Sequence, residues 1–379
     1  MSNLEQMELF PDVAVGENPA FLSEQLITYI GNKRSLLPFL GQGLQHVKKR
    51  LGKEKLDCLD LFSGTGIVAR YFKAHCNRLL ANDLELYSRI TGECYLSNRE
   101  DLAGLDLDEA ERFLQSQIEK NLRPGFIAEL YAPKSEDSIQ ADDRVFYTRK
   151  NAIYLDTARQ AISLLPEETQ KYFLAPLIAK ASVHANTSGV FKGFYKSKAG
   201  IGQYGGNGRD ALTRILGDIR LGTPIFSRFS CEVTVRQEDA NLLVKELSDA
   251  DFDLTYLDPP YNQHPYGSNY FMLNLVASYE RPAETSRVSG IPVDWNRSRY
   301  NQKTAAEEAL LEVIDACPSR FVMISYNSEG FISQGQFLRR LQSRGKLTTL
   351  EAPYNTFRGG RNLRARPIHV TEFLYLLEK

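Results

Sequence analysis

The chain has 379 residues, a net charge of -1, 42% hydrophobic residues and 25% charged residues, which is typical of a soluble globular protein with one large domain and a smaller one. No apolar run approaches the roughly 18 residues that span a bilayer, and the amino terminus lacks a targeting segment, so we expect a cytoplasmic protein with no membrane partner. Five cysteines, scattered singly, predict neither a disulfide framework nor a zinc cluster. Local basic patches would have to supply any attraction to nucleic acid.

The first part of the chain predicts an arm followed by strand and helix pairs. Residues 1–22 are polar and acidic without clear periodicity, and we expect a loose amino-terminal arm there. The next elements, in chain order, are a helix that Tyr29–Arg34 opens, a strand over 56–61, a helix over Ile67–Lys73, a strand over 79–81 that ends at Asn82 and Asp83, and a helix from Leu84.

The alternation of strands and helices is interrupted from about residue 101 to residue 229, where we predict helices over 108–120 and 157–183 and a glycine-rich segment over 188–208. It then resumes with strand 231–235, helix 240–247, strand Phe252–Leu257, helix 304–316, strand 321–325, helix 331–343, and strands 347–352 and 368–377. This order predicts an α/β fold with a doubly wound, mostly parallel sheet and an antiparallel edge strand. We expect the sheet domain to comprise 23–89 and 231–379, with 90–230 as a mainly helical inserted domain.

The first predicted loop has the features of a ligand cradle. In a doubly wound sheet, ligands bind outside the carboxyl ends of the strands, and Gly64 and Gly66 would allow close backbone approach and positive φ there. The loop lacks the glycine spacing of dinucleotide folds and of nucleotide triphosphate loops, so a small carboxylate-bearing cofactor fits better. Asp83 is placed to accept from ribose hydroxyls and Asp239 from an adenine amino group. Helix capping is the alternative for both.

The second notable feature is Asp258-Pro259-Pro260-Tyr261, at the end of the predicted strand Phe252–Leu257. It offers a carboxylate, a rigid backbone carbonyl and an aromatic stacking face, which suit a planar base whose exocyclic amine is held by two acceptors. Alone, the tetrapeptide is also explained as an acidic turn before a rigid corner. Together with the glycine loop it indicates methyl transfer to an amine.

These motifs, in this order, resemble those of the Dam-like adenine-specific DNA methyltransferases, the alpha group of amino-methyltransferases. The resemblance rests on Tyr29–Lys33 as a cofactor segment, Asp60–Gly66 as the glycine loop, Asn82-Asp83 as the ribose-binding acid, Glu238–Ala240 as the adenine-contacting turn, and Asp258–Tyr261 as the catalytic tetrapeptide. Ser325–Asn327 and Thr371–Leu377 match more loosely.

The resemblance implies S-adenosylmethionine as cofactor, no metal, and Lys33 near the cofactor carboxylate. The implied cofactor-binding residues are Tyr29, Gly31, Lys33, Asp60, Phe62, Gly64, Gly66, Asp83, Asp239, Ala240 and Asp258. The implied activity is site-specific methylation of the N6 amine of an adenine flipped out of duplex DNA, with Asp258, Pro259, Pro260 and Tyr261 as catalytic residues. It also suggests that the insertion recognises the target and that a companion restriction endonuclease is a partner.

Two basic patches are candidates for DNA contact, because cations and aromatics on flexible backbone suit a DNA-facing loop. Their members are Lys192, Tyr195, Lys196, Lys198 and Arg209 in the first patch, and Arg358, Arg361 and Arg364 in the second. Solvated loops are the alternative. Packing explains a third group, Trp295, Arg297, Arg299 and Tyr300, equally well. Tyr266, Tyr270 and Phe271 are candidates for the entrance of the base, and packing explains each of them equally well.

Several other activities compete with this interpretation. Protein glutamine and cytosine amino-methyltransferases usually place Asn or Ser before the two prolines, so Asp258 disfavours both. An RNA adenine methyltransferase is the strongest enzymatic rival. A non-catalytic DNA-binding subunit with a cofactor fold is the other alternative, and the intact tetrapeptide argues against it.

Overall fold

A computed structural model describes residues 16–206, 211–355 and 369–379 of the chain. Its centre is a seven-stranded sheet with the order β3-β2-β1-β4-β5-β7-β6. The strands are β1 (Leu56–Asp60), β2 (Cys76–Asn82), β3 (Glu232–Arg236), β4 (Phe252–Leu257), β5 (Ser319–Asn327), β6 (Lys346–Asn355) and β7 (His369–Glu378). Every strand lies at a predicted position, which confirms the doubly wound sheet.

The two closing strands form the predicted antiparallel edge, with β7 one position inside the sheet and β6 at its edge. Strands β1 to β5 pair in parallel, whereas β7 runs antiparallel to both β5 and β6. The order of the two strands agrees with their burial. The side chains Leu374–Leu377 of β7 are all buried, as an inner strand requires, whereas β6 carries the polar residues Lys346, Thr348 and Glu351, which suit an edge.

Fourteen α-helices pack around the sheet within the described residues. They are α1 (Pro19–Ser23), α2 (Leu37–Leu51), α3 (Ile67–Lys73), α4 (Leu86–Tyr95), α5 (Leu107–Lys120), α6 (Phe126–Tyr131), α7 (Arg149–Ile162), α8 (Glu167–Val183), α9 (Leu212–Leu216), α10 (Ala240–Glu246), α11 (Tyr266–Asn269), α12 (Phe271–Ser278), α13 (Ala306–Ala316) and α14 (Gln334–Gln342). Short 3-10 helices cover Arg34–Leu36, Glu100–Leu102 and Arg299–Asn301. No helix in this part of the chain is long and apolar enough to cross a membrane.

The carboxyl end of the predicted arm is packed rather than loose. Asn18 caps α1 by accepting from the Ala20 amide at 3.1 Å, and Phe21 is buried against the core. The Glu17 carboxylate accepts from the Ser227 hydroxyl at 2.6 Å and from the Arg228 amide at 2.9 Å. Burial of one phenyl ring and satisfaction of one carboxylate thus hold residues 17–22 in place. The rest of the predicted arm, 1–15, lies outside the described residues.

The insertion contributes to the core on one face of the sheet. One apolar cluster joins residues of the sheet layer, such as Phe72 and Tyr256, to insertion residues such as Tyr131 and Phe173. Helix α8 packs against both α4 and α12. A second cluster covers the opposite face and includes Leu243 of α10 and Phe337 of α14.

One buried amide fixes the strand ends that border the site. The side-chain nitrogen of Asn82, at the end of β2, donates to the Leu61 carbonyl at 3.2 Å and to the Glu238 carbonyl at 3.0 Å. Its side-chain oxygen accepts from the Glu238 amide at 3.0 Å. The loops after β1, β2 and β3 are therefore cross-linked where they reach the carboxyl edge of the sheet.

Candidate active site

A cavity lies at the carboxyl edge of the sheet, where the loops after β1, β2, β3 and β4 meet. The residues that line it fall within the ranges 29–33, 60–68, 83–85, 238–240, 256–260, 266–267 and 296–301. The first five ranges are those from which the sequence predicted a cofactor site and a catalytic tetrapeptide. The segment 296–301 was considered only as part of a basic or packed group, and it forms a further wall of the cavity.

The glycine loop has the conformation that the sequence predicted. Gly64 and Gly66 adopt φ of 55° and 73°, in the left-handed region that favours glycine. The Ser63 amide donates to the Asn82 carbonyl at 2.9 Å, and the Gly66 amide closes the turn on the Ser63 carbonyl at 2.8 Å. A Cβ at Gly64 would lie 3.1 Å from the Tyr29 ring. Glycine at this position therefore allows the loop and the amino-terminal segment to approach closely.

Asp60 presents an unsatisfied carboxylate to the cavity. Its side chain is fully buried, and neither oxygen accepts a hydrogen bond of good geometry within the described residues. Burial raises the pKa of Asp60 to about 8, although the donors on Ser63 and Phe62 act in the opposite direction. A buried carboxylate without partners costs folding free energy unless a cation pairs with it. This position therefore suits the ammonium group of an amino-acid ligand.

Asp83 combines the two roles that the sequence left open. One carboxylate oxygen accepts from the Gly64 amide at 2.7 Å and the other from the Glu85 amide at 3.0 Å, so the side chain caps the start of the next segment and holds the glycine loop. It also lines the cavity. Burial raises the pKa of Asp83 to about 6, and the hydrogen bonds from Glu85 and Gly64 oppose that shift.

Asp239 is a helix cap at the cavity wall. Its Oδ1 accepts from the Asn241 and Leu242 amides at 2.9 and 3.2 Å, so the capping alternative is confirmed for this residue. Asp239 and Ala240 also line the cavity. Tyr300 donates to the Asn241 side chain at 2.8 Å.

The catalytic end of the cavity holds a buried cluster of charges. The Lys33 ammonium lies 2.9 Å from Asp258 Oδ1 and 3.4 Å from Glu372 Oε1, and the side chains of Lys33 and Glu372 are only 5% and 2% exposed. Burial by itself would lower the pKa of Lys33, but the charges of Asp258 and Glu372 outweigh it and raise the pKa well above its usual value. Burial raises the pKa of Asp258 to about 6, against the opposing effect of Lys33.

Stacked tyrosines join the amino-terminal segment to the segment after the tetrapeptide. The Tyr29 ring stacks on Tyr266 and Tyr270 at centroid distances of 4.9 and 4.6 Å. Tyr266 donates to the Ile30 carbonyl at 3.1 Å, and the Tyr270 hydroxyl accepts from the Ile30 amide at 2.8 Å. Only Tyr266 of the three predicted entrance aromatics lines the cavity. Tyr270 and Phe271 are buried in the apolar core, so packing is the alternative that the structure supports for both.

Comparison with known proteins identifies the family to which the chain belongs. A profile of the D12 class N6 adenine-specific DNA methyltransferases matches residues 29–334. The chain belongs to this family. The Type II methyltransferase M.NlaIII of Neisseria lactamica is 29% identical over 361 residues, which is 93% of this chain and 99% of the relative. M.CviAII of Paramecium bursaria Chlorella virus 1 is 26% identical, over 93% of this chain and 98% of the relative.

A third relative is much longer. The Type II methyltransferase M.FokI of Planomicrobium okeanokoites is 26% identical over 93% of this chain, which spans about half, 52%, of that relative. The family assignment confirms that the protein is an adenine-specific DNA methyltransferase, and it selects DNA over RNA among the alternatives. A methyltransferase of this family uses S-adenosylmethionine. The unsatisfied Asp60 carboxylate and the glycine loop fit such a ligand, because its amino-acid part carries an ammonium group.

The structure of the methyltransferase brings most predicted cofactor residues together. Ten of the eleven candidates, all except Gly66, line the cavity. Gly66 shapes the turn without lining the cavity. Of the predicted catalytic residues, Asp258 and Pro260 line the cavity whereas Pro259 and Tyr261 do not, and Tyr261 packs edge to face on Tyr326 with centroids 5.9 Å apart. Within the described residues, no group of metal-ligating side chains is found.

The predicted DNA-binding patches are only partly described. Lys192, Lys196 and Lys198 are exposed, whereas Tyr195 is half-buried. Arg209, Arg358, Arg361 and Arg364 lie outside the described residues. Of the third group, Arg299 pairs with Glu312 at 2.9 Å, and Arg297 lies over the Trp295 ring at 4.5 Å. Tyr300 is buried, as the packing explanation requires, whereas Arg297 and Arg299 are exposed.

Two carboxylates of the site were not predicted as site residues. Glu372 lies in Thr371–Leu377, which resembles the family only loosely, and it reaches Lys33 from β7. Glu85 lines the cavity and accepts from the side-chain amides of Asn274 at 2.5 Å and Asn296 at 3.1 Å. Burial raises the pKa of Glu85 to about 7. Both contacts join segments far apart in the chain, which periodicity and local motifs do not report.

Proposed function

We propose that the methyltransferase binds an adenine flipped out of duplex DNA against Asp258–Tyr261 and methylates its N6 amine. The observation that carries the proposal is the shared cavity. Asp258, at the end of β4, lines the same cavity as Asp60 and the glycine loop at the end of β1. Because β1 and β4 are adjacent parallel strands, two ligands bound at their carboxyl ends would meet.

The residues at the end of β4 supply what a poor nucleophile needs. The lone pair of the adenine amine is delocalised into the ring. Hydrogen bonds from the two amine protons to the Asp258 carboxylate and the Pro259 carbonyl favour a pyramidal nitrogen with an available lone pair. When bound, S-adenosylmethionine supplies an electrophilic methyl group. Methyl transfer to the nitrogen would release the donor as a neutral thioether, Asp258 would stabilise the positive charge that develops on nitrogen, and one amine proton would then pass to solvent.

We assign the cofactor contacts by chemistry. Asp60 would pair with the ammonium of the amino-acid part, because it is buried and neither of its oxygens accepts a hydrogen bond of good geometry from the described residues. Asp83 would accept from the ribose hydroxyls with lone pairs that its backbone contacts leave available. Asp239 and Ala240 would border the adenine ring. Lys33 was expected near the cofactor carboxylate, but its ammonium pairs with Asp258 and Glu372, so we assign it to the catalytic end.

The DNA surface is proposed to include the exposed lysines of the insertion. Lys192 lies beside the loop after the tetrapeptide, since the pKa of His264 is lowered by burial and further by the charge of Lys192. The Ser289 hydroxyl donates to the Lys192 carbonyl at 2.6 Å. We also retain the second patch, Arg358 to Arg364, whose flanking strands β6 and β7 continue beyond Glu372 to Asn355 and His369.

Flipping the adenine out of the duplex costs a few kcal/mol, which contacts to the flipped base must offset.

The biological setting is a further proposal. We place residues 90–230 in target recognition, since they interrupt the alternation between the cofactor half and β4. We also propose a cytoplasmic protein with a companion restriction endonuclease. The support is that its relatives are named Type II methyltransferases or modification methylases.

Transfer from labelled S-adenosylmethionine to matched duplex DNA, single-stranded DNA and RNA tests the proposal. We expect label on duplex adenine, and at least about 100-fold less with Asp258→Ala at unchanged circular dichroism, because a stabilising contact to the transition state is lost. Asp253→Ala, a change on the same strand at the opposite edge, is the matched control for activity. Wild-type turnover by Asp258→Ala would exclude the assigned site, and preference for RNA would exclude the substrate.

A further inference from the structure

Glu372 is a buried charge that the proposed chemistry does not yet use. It lies on β7, opposite Asn327 of β5, and its side chain is 2% exposed. Its Oε1 accepts no hydrogen bond from the described residues, although the Lys33 ammonium is 3.4 Å away. The contact is thus an ion pair without hydrogen-bond geometry. A buried carboxylate in this condition costs folding free energy, so packing alone gives no reason for an acid here.

The Lys33 ammonium is shared unequally by two acids. It lies 2.9 Å from Asp258 and 3.4 Å from Glu372, and it also donates to the Gly31 carbonyl at 3.3 Å. In this arrangement the lysine ammonium pairs with one carboxylate oxygen of Asp258. That is the side chain which, in the proposed function, must accept a hydrogen bond from the adenine amine.

An ammonium that stayed 2.9 Å from Asp258 would oppose the reaction in two ways. It would compete with the amine for the carboxylate, and it would partly cancel the negative charge that stabilises the developing positive charge. Charges interact strongly in a site with little water. The ammonium therefore needs a second acceptor within reach when the base arrives.

We propose that Glu372 is a positioning residue that takes over the Lys33 ammonium when adenine binds to Asp258. The inference rests on the proposed function, because it assumes that Asp258 receives the amine. The unsatisfied Oε1 is the acceptor for the lysine, and a small displacement of the ammonium suffices. Lys33 then remains paired and buried, and Asp258 keeps its full charge for the transition state.

The groups around Asp258 determine how its titration responds to a change at Glu372. The titratable groups that face it are Lys33, Glu372, Asp60, Tyr256, Tyr261 and Tyr266. Among the charged ones, Lys33 lowers the pKa of Asp258 and Glu372 raises it. Removal of the Glu372 charge therefore lowers the pKa of Asp258, and the acid limb of the rate profile moves to lower pH.

The test compares Glu372→Gln with the wild-type enzyme on duplex DNA, using kcat, KM for each substrate and the pH dependence of kcat/KM. We expect kcat to fall by about 10- to 100-fold, a range typical for loss of an outer partner of a functional group, with both KM values nearly unchanged. The acid limb should move to lower pH. Glu351→Gln, an exposed change on β6, is the matched control and should leave kcat and the acid limb unchanged.

A double-mutant cycle separates a role through Lys33 from a general structural role. If Glu372 acts through Lys33, adding Glu372→Gln to Lys33→Gln should cost little further activity. Glu372→Asp keeps the charge and should leave the acid limb in place, which also provides a readout if Glu372→Gln does not fold. Unchanged kcat and acid limb in a folded Glu372→Gln enzyme, or fully additive losses, would overturn the inference. An inactive wild type, or an active Asp258→Ala, would instead overturn the proposed function.

Discussion

At the scale of single residues, Asp60 illustrates how a binding site holds a buried acid without a charged partner. Its carboxyl group is fully buried, accepts no hydrogen bond of good geometry within the described residues, and burial raises its pKa to about 8. In the free protein at pH 7 it is therefore largely protonated. An ammonium group bound beside it would favour the ionised form, so ligand binding and proton release are coupled.

We expect S-adenosylmethionine to bind with release of about one proton at pH 7, and more tightly as pH rises from about 6 to about 8. Calorimetry in buffers with different ionisation enthalpies measures the proton. Asp60→Asn should weaken binding by about tenfold or more and remove the release, since a charged pair is lost. Asp83→Ala should weaken binding but retain the release. Equal proton release by Asp60→Asn would assign the coupling to another group.

The same pKa shift predicts the effect of Asp60 on stability. Because the pKa is raised in the folded state, ionisation penalises folding as pH rises from the unfolded value of about 4 through about 8. Asp60→Asn removes that penalty. The thermal midpoint of the free protein at pH 8 should therefore rise in the variant, and the difference should vanish near pH 4. Asp57→Asn, on the same strand but outside the cavity wall, is the control.

At the scale of elements, the segment around Lys192 connects the insertion to the catalytic loop. Lys192 and Lys196 are exposed, and Lys192 adjoins both Ser289 and His264. Phosphate contacts fix the position of a protein on DNA without reading its sequence. These lysines should therefore act on all duplexes alike.

Replacing Lys192 and Lys196 together by alanine should weaken binding to every duplex and flatten the salt dependence by about one unit of slope per lost contact, because fewer counterions are released. Binding titrations at several salt concentrations, on target and non-target duplexes, measure both effects. Lys55→Ala with Lys346→Ala removes two exposed lysines from the opposite edge of the sheet and should change neither. An unaltered slope in the test variant would show that the segment is a solvated loop without phosphate contacts.

The elements show which patterns a sequence reports well. Strands β1, β4 and β5 and the helix Ile67–Lys73 were predicted closely, because buried parallel strands are short apolar runs bounded by turns. Helices α11 and α12 were missed. Helix α11 is a single short turn, and α12 is buried on most sides because it lies against both α4 and α8. A helix buried all round has no amphipathic period to detect.

The site residues also fall into those that local motifs predicted and those that they did not. Residues at strand ends, such as Asp83 and Asp258, were predicted because local motifs mark them and parallel strands bring their ends to one edge. Glu372 and Glu85 were not, because their partners lie far away in the sequence. The predicted arm failed for residues 17–22 for a similar reason. The Glu17 carboxylate bonds to Ser227 and Arg228, which no local pattern connects to it.

At the scale of the whole molecule, the insertion and the sheet domain share one apolar core. Phe271, after the tetrapeptide, packs against Tyr131 and Phe146 of the insertion with ring centroids 5.7 and 6.1 Å apart. Arg159 of the insertion donates to the Val276 and Ala277 carbonyls at the end of α12. A region that recognises the target through such a core would be coupled to the catalytic loop by packing rather than by a flexible linker.

We therefore predict that the two regions unfold together. Far-ultraviolet circular dichroism reports mainly the helices, and fluorescence reports Trp295, the single tryptophan, on the segment that borders the cavity. Their denaturant transitions should coincide. Phe271→Ala should destabilise both by about 3–5 kcal/mol, the cost of truncating a buried phenyl ring. Phe113→Ala, at a ring 38% exposed on α5, should shift them much less. Two separated transitions, or a Phe271→Ala shift seen by one probe only, would show that the insertion folds as an independent domain.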